Sequence, residues 1–139
     1  LTYEKSCGAI VYRKFHGNTE ILLIKHKKSG FWTFPKGHVE NGESETDTAV
    51  RETKEETNID IVIDDPEFRE TVSFNPRRDI RKEVVYFVAR ATSFNIAPQE
   101  AEIADIRWFE IGRAALNLYY DNDRLIMNKV KAYLALSKI

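Results

Sequence analysis

The chain has 139 residues, 42% of them hydrophobic and 31% charged, with 21 basic and 22 acidic side chains and a formal net charge of −1. Such a composition excludes a disordered or collagen-like chain, and the near-neutral balance argues against holding nucleic acid through bulk positive charge. The longest apolar runs, Ile21–Ile24 and Val84–Ala89, are too short to cross a bilayer, and the single cysteine, Cys7, excludes an internal disulfide or a multi-cysteine zinc cage.

Leu1–Lys14 lacks the layout of a secretory signal, so the expectation is one soluble, cytoplasmic domain over residues 1–139 with no membrane partner. In chain order, Cys7–Lys14 and Glu20–Lys25 are rich in aliphatic and β-branched residues and flank His16-Gly17-Asn18, which predicts a hairpin. Phe31–Phe34 predicts a short strand ended by Pro35. Ser44–Thr57 opens with Ser, Glu, Thr and Asp, the composition of a helix N-terminus. Strands are expected at Asp60–Ile63, Phe68–Phe74, Glu83–Thr92 and Ile103–Phe109. From Asn122 onward, Leu125, Val130, Tyr133, Leu134 and Leu136 recur as on the packed face of a C-terminal helix. Strands, helix, strands, helix imply an α+β fold with a mixed sheet and helices packed against it.

One segment is too acidic for a plain structural role. Glu43, Glu45, Asp47, Glu52, Glu55 and Glu56 face only Arg51 and Lys54, a local charge of −4. On a helix Glu52, Glu55 and Glu56 fall at i, i+3 and i+4 and project from one face. Like charges so placed destabilise a helix by about 0.2–0.5 kcal/mol per pair. A hard divalent cation removes that repulsion, and carboxylate oxygens are what Mg²⁺ or Mn²⁺ selects. The plain alternative is a solvated acidic face.

The residues just upstream decide between these readings. Phe34-Pro35-Lys36-Gly37-His38-Val39-Glu40-Asn41-Gly42-Glu43 leads into Arg51-Glu52-Thr53-Lys54-Glu55-Glu56-Thr57-Asn58-Ile59. The pattern resembles the signature of the Nudix hydrolases, G-x5-E-x7-R-E-U-x-E-E-x-G-U with U aliphatic. Gly37, Glu43, Arg51, Glu52, Glu55, Glu56 and Ile59 match; Thr53 replaces an aliphatic, and Asn58 replaces the second glycine. Asparagine tolerates the left-handed conformation a glycine adopts after a helix, so that change is mild. The resemblance implies a Nudix-type α/β/α sandwich with a mixed β-sheet between helices. It also implies a Mg²⁺ or Mn²⁺ cofactor held by Glu52, Glu55, Glu56 and the Gly37 carbonyl, with Arg51 orienting the carboxylates. Glu43 is expected to pair with Arg51 or to stabilise the loop.

Within the family, Trp32–Glu40 with its Pro35-Lys36-Gly37-His38, Glu83–Ala89 and Glu102–Trp108 are similar to asymmetric diadenosine tetraphosphate hydrolases. That likeness implies Lys36 and His38 on phosphate, Tyr86 and Phe74 against a base, and Lys28 in a cationic rim. It makes Glu102, or a glutamate of the Arg51–Glu56 segment, the general base. Plainer roles stand beside these: Tyr86 and Phe74 as packing, Glu102 as a loop acid. Lys25–Lys28 and the group Arg77, Arg78, Arg81 and Lys82 have solvated strand ends as their plainer reading. The implied activity is hydrolysis of diadenosine tetraphosphate to ATP and AMP by a monomer or homodimer. The alternatives are a nucleoside triphosphate, an RNA 5′ end or an inositol pyrophosphate as substrate, or a nucleotide-sensing domain without catalysis.

Overall fold

A computed structural model describes residues 1–136. The predicted hairpin is present and longer than expected: β1 (Thr2–Phe15) and β2 (Asn18–His26) pair antiparallel. Between them His16 and Gly17 both have positive φ, 49° and 81°, which turns the chain with the twist a two-residue hairpin needs. Then come β3 (Trp32–Thr33), β4 (Lys36–His38), α1 (Glu45–Thr57), β5 (Ile61–Ile63), β6 (Arg69–Arg77), β7 (Ile80–Ala91), β8 (Ile103–Glu110), α2 (Ile111–Asn117) and α3 (Asp121–Leu136).

All the strands join one mixed sheet with the central order β3-β2-β1-β7-β5. The parallel pair is β1 with β7, in register from Thr2↔Ile80 to Tyr12↔Arg90. β6 and β5 line the outer side of β7, and β8 lines β2. β6 is an edge strand, which is why Pro76 is tolerated inside it.

Helices cover both faces, and the sequence of β7 records it. Val84, Tyr86 and Val88 point toward α2 and α3, where Ala114, Leu118, Ile126, Met127 and Val130 meet them. Val85, Phe87 and Ala89 point the other way, Val85 and Phe87 onto Cys7 and Ala49. A strand covered on both sides reads as an unbroken apolar run rather than an alternating one. The α/β/α sandwich is thus the observed fold.

Three details differ from the sequence expectation. β4 carries a glycine and follows Pro35, so it has no strand-like composition; backbone pairing of Lys36–His38 with Ser6–Gly8 makes it. α2 spans 7 residues, too few for a helical period to register. In α3 the packed face is Asp123, Ile126, Met127 and Val130, not one containing Leu125 and Leu136, which are 62% and 82% exposed. Tyr133 and Leu134 do pack against the core, as expected.

α1 is closed at both ends by its own sequence. Ser44 accepts a hydrogen bond from the Asp47 N–H at 3.1 Å, and Asn58 takes the left-handed conformation at φ 67°. Under the helix Thr53 is fully buried, and its hydroxyl oxygen has no partner among the described residues. An unpaired buried hydroxyl costs about 1–3 kcal/mol. Thr53→Val, which keeps the shape and removes the hydroxyl, is expected to raise the midpoint of urea unfolding with an unchanged m-value. A lower midpoint would mean that the hydroxyl is satisfied in solution.

Candidate active site

The site forms where β4 delivers Lys36 and Gly37 to the acidic face of α1. Arg51 is its organiser. Its Nε donates to Glu43 Oε2 at 2.5 Å and its Nη2 to Glu43 Oε1 at 3.0 Å and to the His38 carbonyl at 2.9 Å. Its Nη1 reaches Glu52 Oε1 at 2.7 Å and both oxygens of Glu55 at 3.1 Å. The guanidinium fork thus ties the loop before α1 to two carboxylates of the helix face. Arg51 first, then the Glu40 N–H, hold the Glu43 carboxyl down at about 2. Glu43 is therefore the pairing partner of Arg51.

Gly37 and Glu52 touch. A Cβ on Gly37 would lie 1.9 Å from Glu52 Oε2 and 2.0 Å from its Cδ, so no larger residue leaves that carboxylate in place. Gly37→Ala is expected to lower kcat about a hundredfold by displacing a group that must be held to a fraction of an ångström, with little change in far-ultraviolet dichroism. Near-normal kcat would show that the close approach has no catalytic consequence.

Glu56 differs from its two neighbours. It is 5% exposed, and its Oε1 accepts the Lys36 backbone N–H at 2.9 Å. Burial pushes its carboxyl up to about 8; that hydrogen bond and the Lys36 charge oppose the rise, whereas Glu52 and Glu102 add to it. Glu52 is also raised, chiefly by burial and against the pull of Arg51. Glu55, half exposed, stands at the outer edge.

These side chains do not surround one point: among the described residues no three acidic, imidazole or thiol groups converge as a cage. Arg51 instead lies between Glu52 and Glu55. The donor set is nonetheless of the right chemistry for a hard divalent cation, because it consists of carboxylate oxygens beside a backbone carbonyl. Mg²⁺ keeps several waters and needs few protein ligands, so Glu52, Glu55, Glu56 and the Gly37 carbonyl fit it.

Lys36 joins this face to a cavity of about 440 Å³ on the sheet's α3 side. Of the residues expected against substrate, Lys36, Phe74 and Tyr86 line it. Phe74 is 40% exposed, whereas Tyr86 is 2% exposed and packs edge-on against Phe34 at 5.3 Å. Tyr86 is thus both core and cavity wall. His38 does not line it: its side chain is exposed, and its carbonyl serves Arg51. Lys28 and Glu102 lie together in a separate shallow depression with His26, which borders both spaces. Glu102 is close enough to raise the pKa of both Glu56 and His26.

Several lining residues were not singled out from sequence. His26 and Lys82 stood inside the basic groups, and both are lowered, first by burial and then by the Lys36 charge. Two lysines so close together, with an imidazole beside them, are suited to an anion. Thr33, Tyr120 and Asp123 also line the cavity. A signal for Asp123 exists: it occupies the apolar face of α3, at i to Ile126, Met127 and Val130 at i+3, i+4 and i+7, where a charge is unexpected.

Comparison with known proteins gives this arrangement a family. A family model for the NUDIX domain matches residues 3–129. The chain is 33% identical over 135 residues to the asymmetrical bis(5′-nucleosyl)-tetraphosphatase of Caenorhabditis elegans, covering 94% of this chain and 96% of that one. It is also 33% identical over 129 residues to the m7GpppN-mRNA hydrolase of Saccharomyces cerevisiae, covering 86% of this chain but 12% of that protein. A crystal structure of a C. elegans Ap4A hydrolase binary complex superposes with a TM-score of 0.85 at 32% identity, over 95% of this chain and 98% of that chain. The chain belongs to the Nudix family and is a Nudix pyrophosphohydrolase.

Proposed function

We propose that this enzyme is a Mg²⁺- or Mn²⁺-dependent hydrolase of dinucleoside polyphosphates that splits diadenosine tetraphosphate asymmetrically into ATP and AMP. The observation that carries the reading is the double role of Lys36. Its backbone N–H binds the buried Glu56 of the acidic face, and its side chain lines the aromatic and cationic cavity. A phosphate chain bound by Lys36, Lys82 and His26 therefore runs from the cavity toward the carboxylates. The likeness to the C. elegans tetraphosphatase over nearly all of both chains supports the substrate class.

Hydrolysis of a phosphoanhydride depends on positioning and on neutralising charge. A divalent cation, when bound, screens the phosphates and lowers the pKa of the attacking water. Glu52, Glu55, Glu56 and the Gly37 carbonyl would hold it. Arg51 is a positioning residue that fixes the carboxylates, and Lys36 carries the polyphosphate. Glu102, beside Glu56 and His26, or a glutamate of α1, accepts the water proton. Phe74 and Tyr120, both about half exposed at the cavity, offer ring faces to a base.

A hydrolysis panel in ¹⁸O-water tests this: diadenosine tetraphosphate, ATP, NAD, ADP-ribose, an inositol pyrophosphate, and triphosphorylated and capped RNA, each with Mg²⁺, Mn²⁺ or EDTA. ATP plus AMP from the first compound, with label in one product and no turnover in EDTA, is the expected result. Turnover of a different compound alone would retain the hydrolase and replace its substrate.

A further inference from the structure

Asn58 stands where the family signature has a glycine, and its side chain makes a contact that glycine cannot. At φ 67° it is left-handed, and its Nδ2 donates to the Asn95 carbonyl at 2.9 Å. Asn95 belongs to the connection between β7 and β8, residues 92–102, which passes over the C-terminal end of α1. A position that otherwise serves only the backbone turn therefore grips a second segment of the chain.

That grip is part of a longer seam. The last carbonyls of a helix have no partner within it. Two of those of α1 are capped from the connection: the Ala97 N–H donates to the Thr57 carbonyl at 3.0 Å and the Gln99 N–H to the Glu56 carbonyl at 3.3 Å. Nearby, the Asp60 N–H donates to Ser93 Oγ at 2.8 Å. Gln99 then passes the connection on, because its own carbonyl accepts the Glu102 N–H at 3.2 Å and the Ile103 N–H at 3.0 Å. A run of backbone hydrogen bonds thus leads from Glu56, in the acidic face, through Gln99 to Glu102. On its other side the Glu102 carbonyl accepts the Lys27 N–H at 2.9 Å. Glu102 is exposed and precedes β8, so these two anchors, rather than burial, fix its place.

We propose that Asn58 is a positioning residue: it keeps the 92–102 connection seated on the end of α1 and so sets Glu102 against Glu56. The bonds made by Ala97 and Gln99 use backbone alone, and many sequences could form them. The Asn58 amide and the Ser93 hydroxyl are the side chains that pin the register of the seam. This inference rests on Glu102 as the acceptor of the water proton. Such a carboxylate must stand within hydrogen-bond reach of the water it deprotonates. A displacement of about 1 Å can cost on the order of a hundredfold in rate, even when the change lies away from the chemistry.

Asn58→Gly and Asn58→Asp test it. Both residues accept the left-handed backbone and neither carries the amide donor, so folded proteins are compared. In EDTA, amide hydrogen exchange at Ala97 and Gln99 is expected to be about tenfold faster in both variants, the scale of one lost hydrogen bond, with the middle of α1 protected as in wild type. On whichever compound the hydrolysis panel shows to be turned over, kcat is expected to fall about tenfold with KM unchanged. In a Glu102→Gln background, Asn58→Gly is expected to lower kcat no further, because a residue that acts through Glu102 has no carboxylate left to place. Wild-type exchange rates in both variants would overturn the tether, and faster exchange with unchanged kcat would overturn the positioning role. Equal losses of kcat with and without the Glu102 carboxylate would overturn the route through Glu102. A Glu102→Gln enzyme with wild-type kcat would instead remove Glu102 as the proton acceptor, and the positioning role with it.

Discussion

Glu56→Gln is expected to lower kcat about a thousandfold at saturating Mg²⁺ while leaving the metal-free protein at least as stable as wild type. The loss of rate reflects the several kcal/mol that a correctly held metal contributes at the transition state, about 4 kcal/mol for that factor. The gain in stability comes from the setting of the side chain. Glu56 is 5% exposed with its carboxyl pushed up to about 8, chiefly by burial, against 4.5 in an unfolded chain. Because the folded pKa is the higher, folding takes up a proton between pH 4.5 and 8. Wild-type stability from this group is complete below 4.5 and falls as pH rises toward 8, by a few kcal/mol in order of magnitude. The amide keeps an acceptor for the Lys36 N–H and needs no buried charge. Thermal melts in EDTA should therefore show Glu56→Gln above wild type at pH 8 and level with it near pH 4. Ample turnover by the variant would remove Glu56 from the metal set, and a lower melting temperature at pH 8 would show that the charge itself is structural.

The acidic half of the site was legible because its spacing is local. Glu52, Glu55 and Glu56 share a face by helical geometry alone, and Gly37, Glu43 and Arg51 follow at fixed intervals in the same segment. The cavity was less legible because it is assembled across distance. His26 comes from the end of β2, Thr33 from β3, Lys82 and Tyr86 from β7, and Tyr120 and Asp123 from the entry to α3. No periodicity brings such residues together; the parallel pairing of β1 with β7 and the docking of α3 do. His38 shows the opposite limit. Its neighbours Lys36 and Gly37 face the site, yet its own side chain, at the exposed end of β4, is open to solvent while its carbonyl holds Arg51.

The fold was legible to a similar depth. The strands of ordinary composition are legible, with the hairpin turn and both caps of α1, although β1 begins at Thr2 rather than at the expected Cys7. What escaped was structure made by context rather than by composition. β4 exists because the backbone of Ser6–Gly8 is available to pair with it. In α3 the expected Val130, Tyr133 and Leu134 do pack against the core, whereas Leu125 and Leu136 are exposed, because hydrophobicity alone does not set the stripe. The true stripe includes a charged residue that the cavity accommodates. The departure at Thr53 is likewise a packing matter: its hydroxyl is buried beneath α1 with no hydrogen-bond partner among the described residues.

Arg51→Lys is expected to reduce kcat by about a hundredfold with little change in KM, and to lower stability by about 1–3 kcal/mol. Arginine at 51 holds four hydrogen-bond partners with one rigid fork: Glu43 by two parallel bonds, Glu52, Glu55 and the His38 carbonyl. Lysine keeps the charge but has a single nitrogen, which cannot reach the loop and both helix carboxylates together. If charge alone mattered, Arg51→Lys would be nearly silent. If the fork matters, Glu52 and Glu55 are released from their fixed positions, and the transition state suffers more than the bound substrate, so kcat falls and KM does not. Glu43→Gln provides the control, because Glu43 touches Arg51, the Thr48 hydroxyl and the Glu40 N–H but stands behind the helix carboxylates. Its loss should cost less rate than Arg51→Lys. The double variant should be little worse than Arg51→Lys alone, the non-additivity expected of groups that act as one unit. Additive losses in that cycle would mean that Glu43 has a task of its own, independent of the guanidinium it holds.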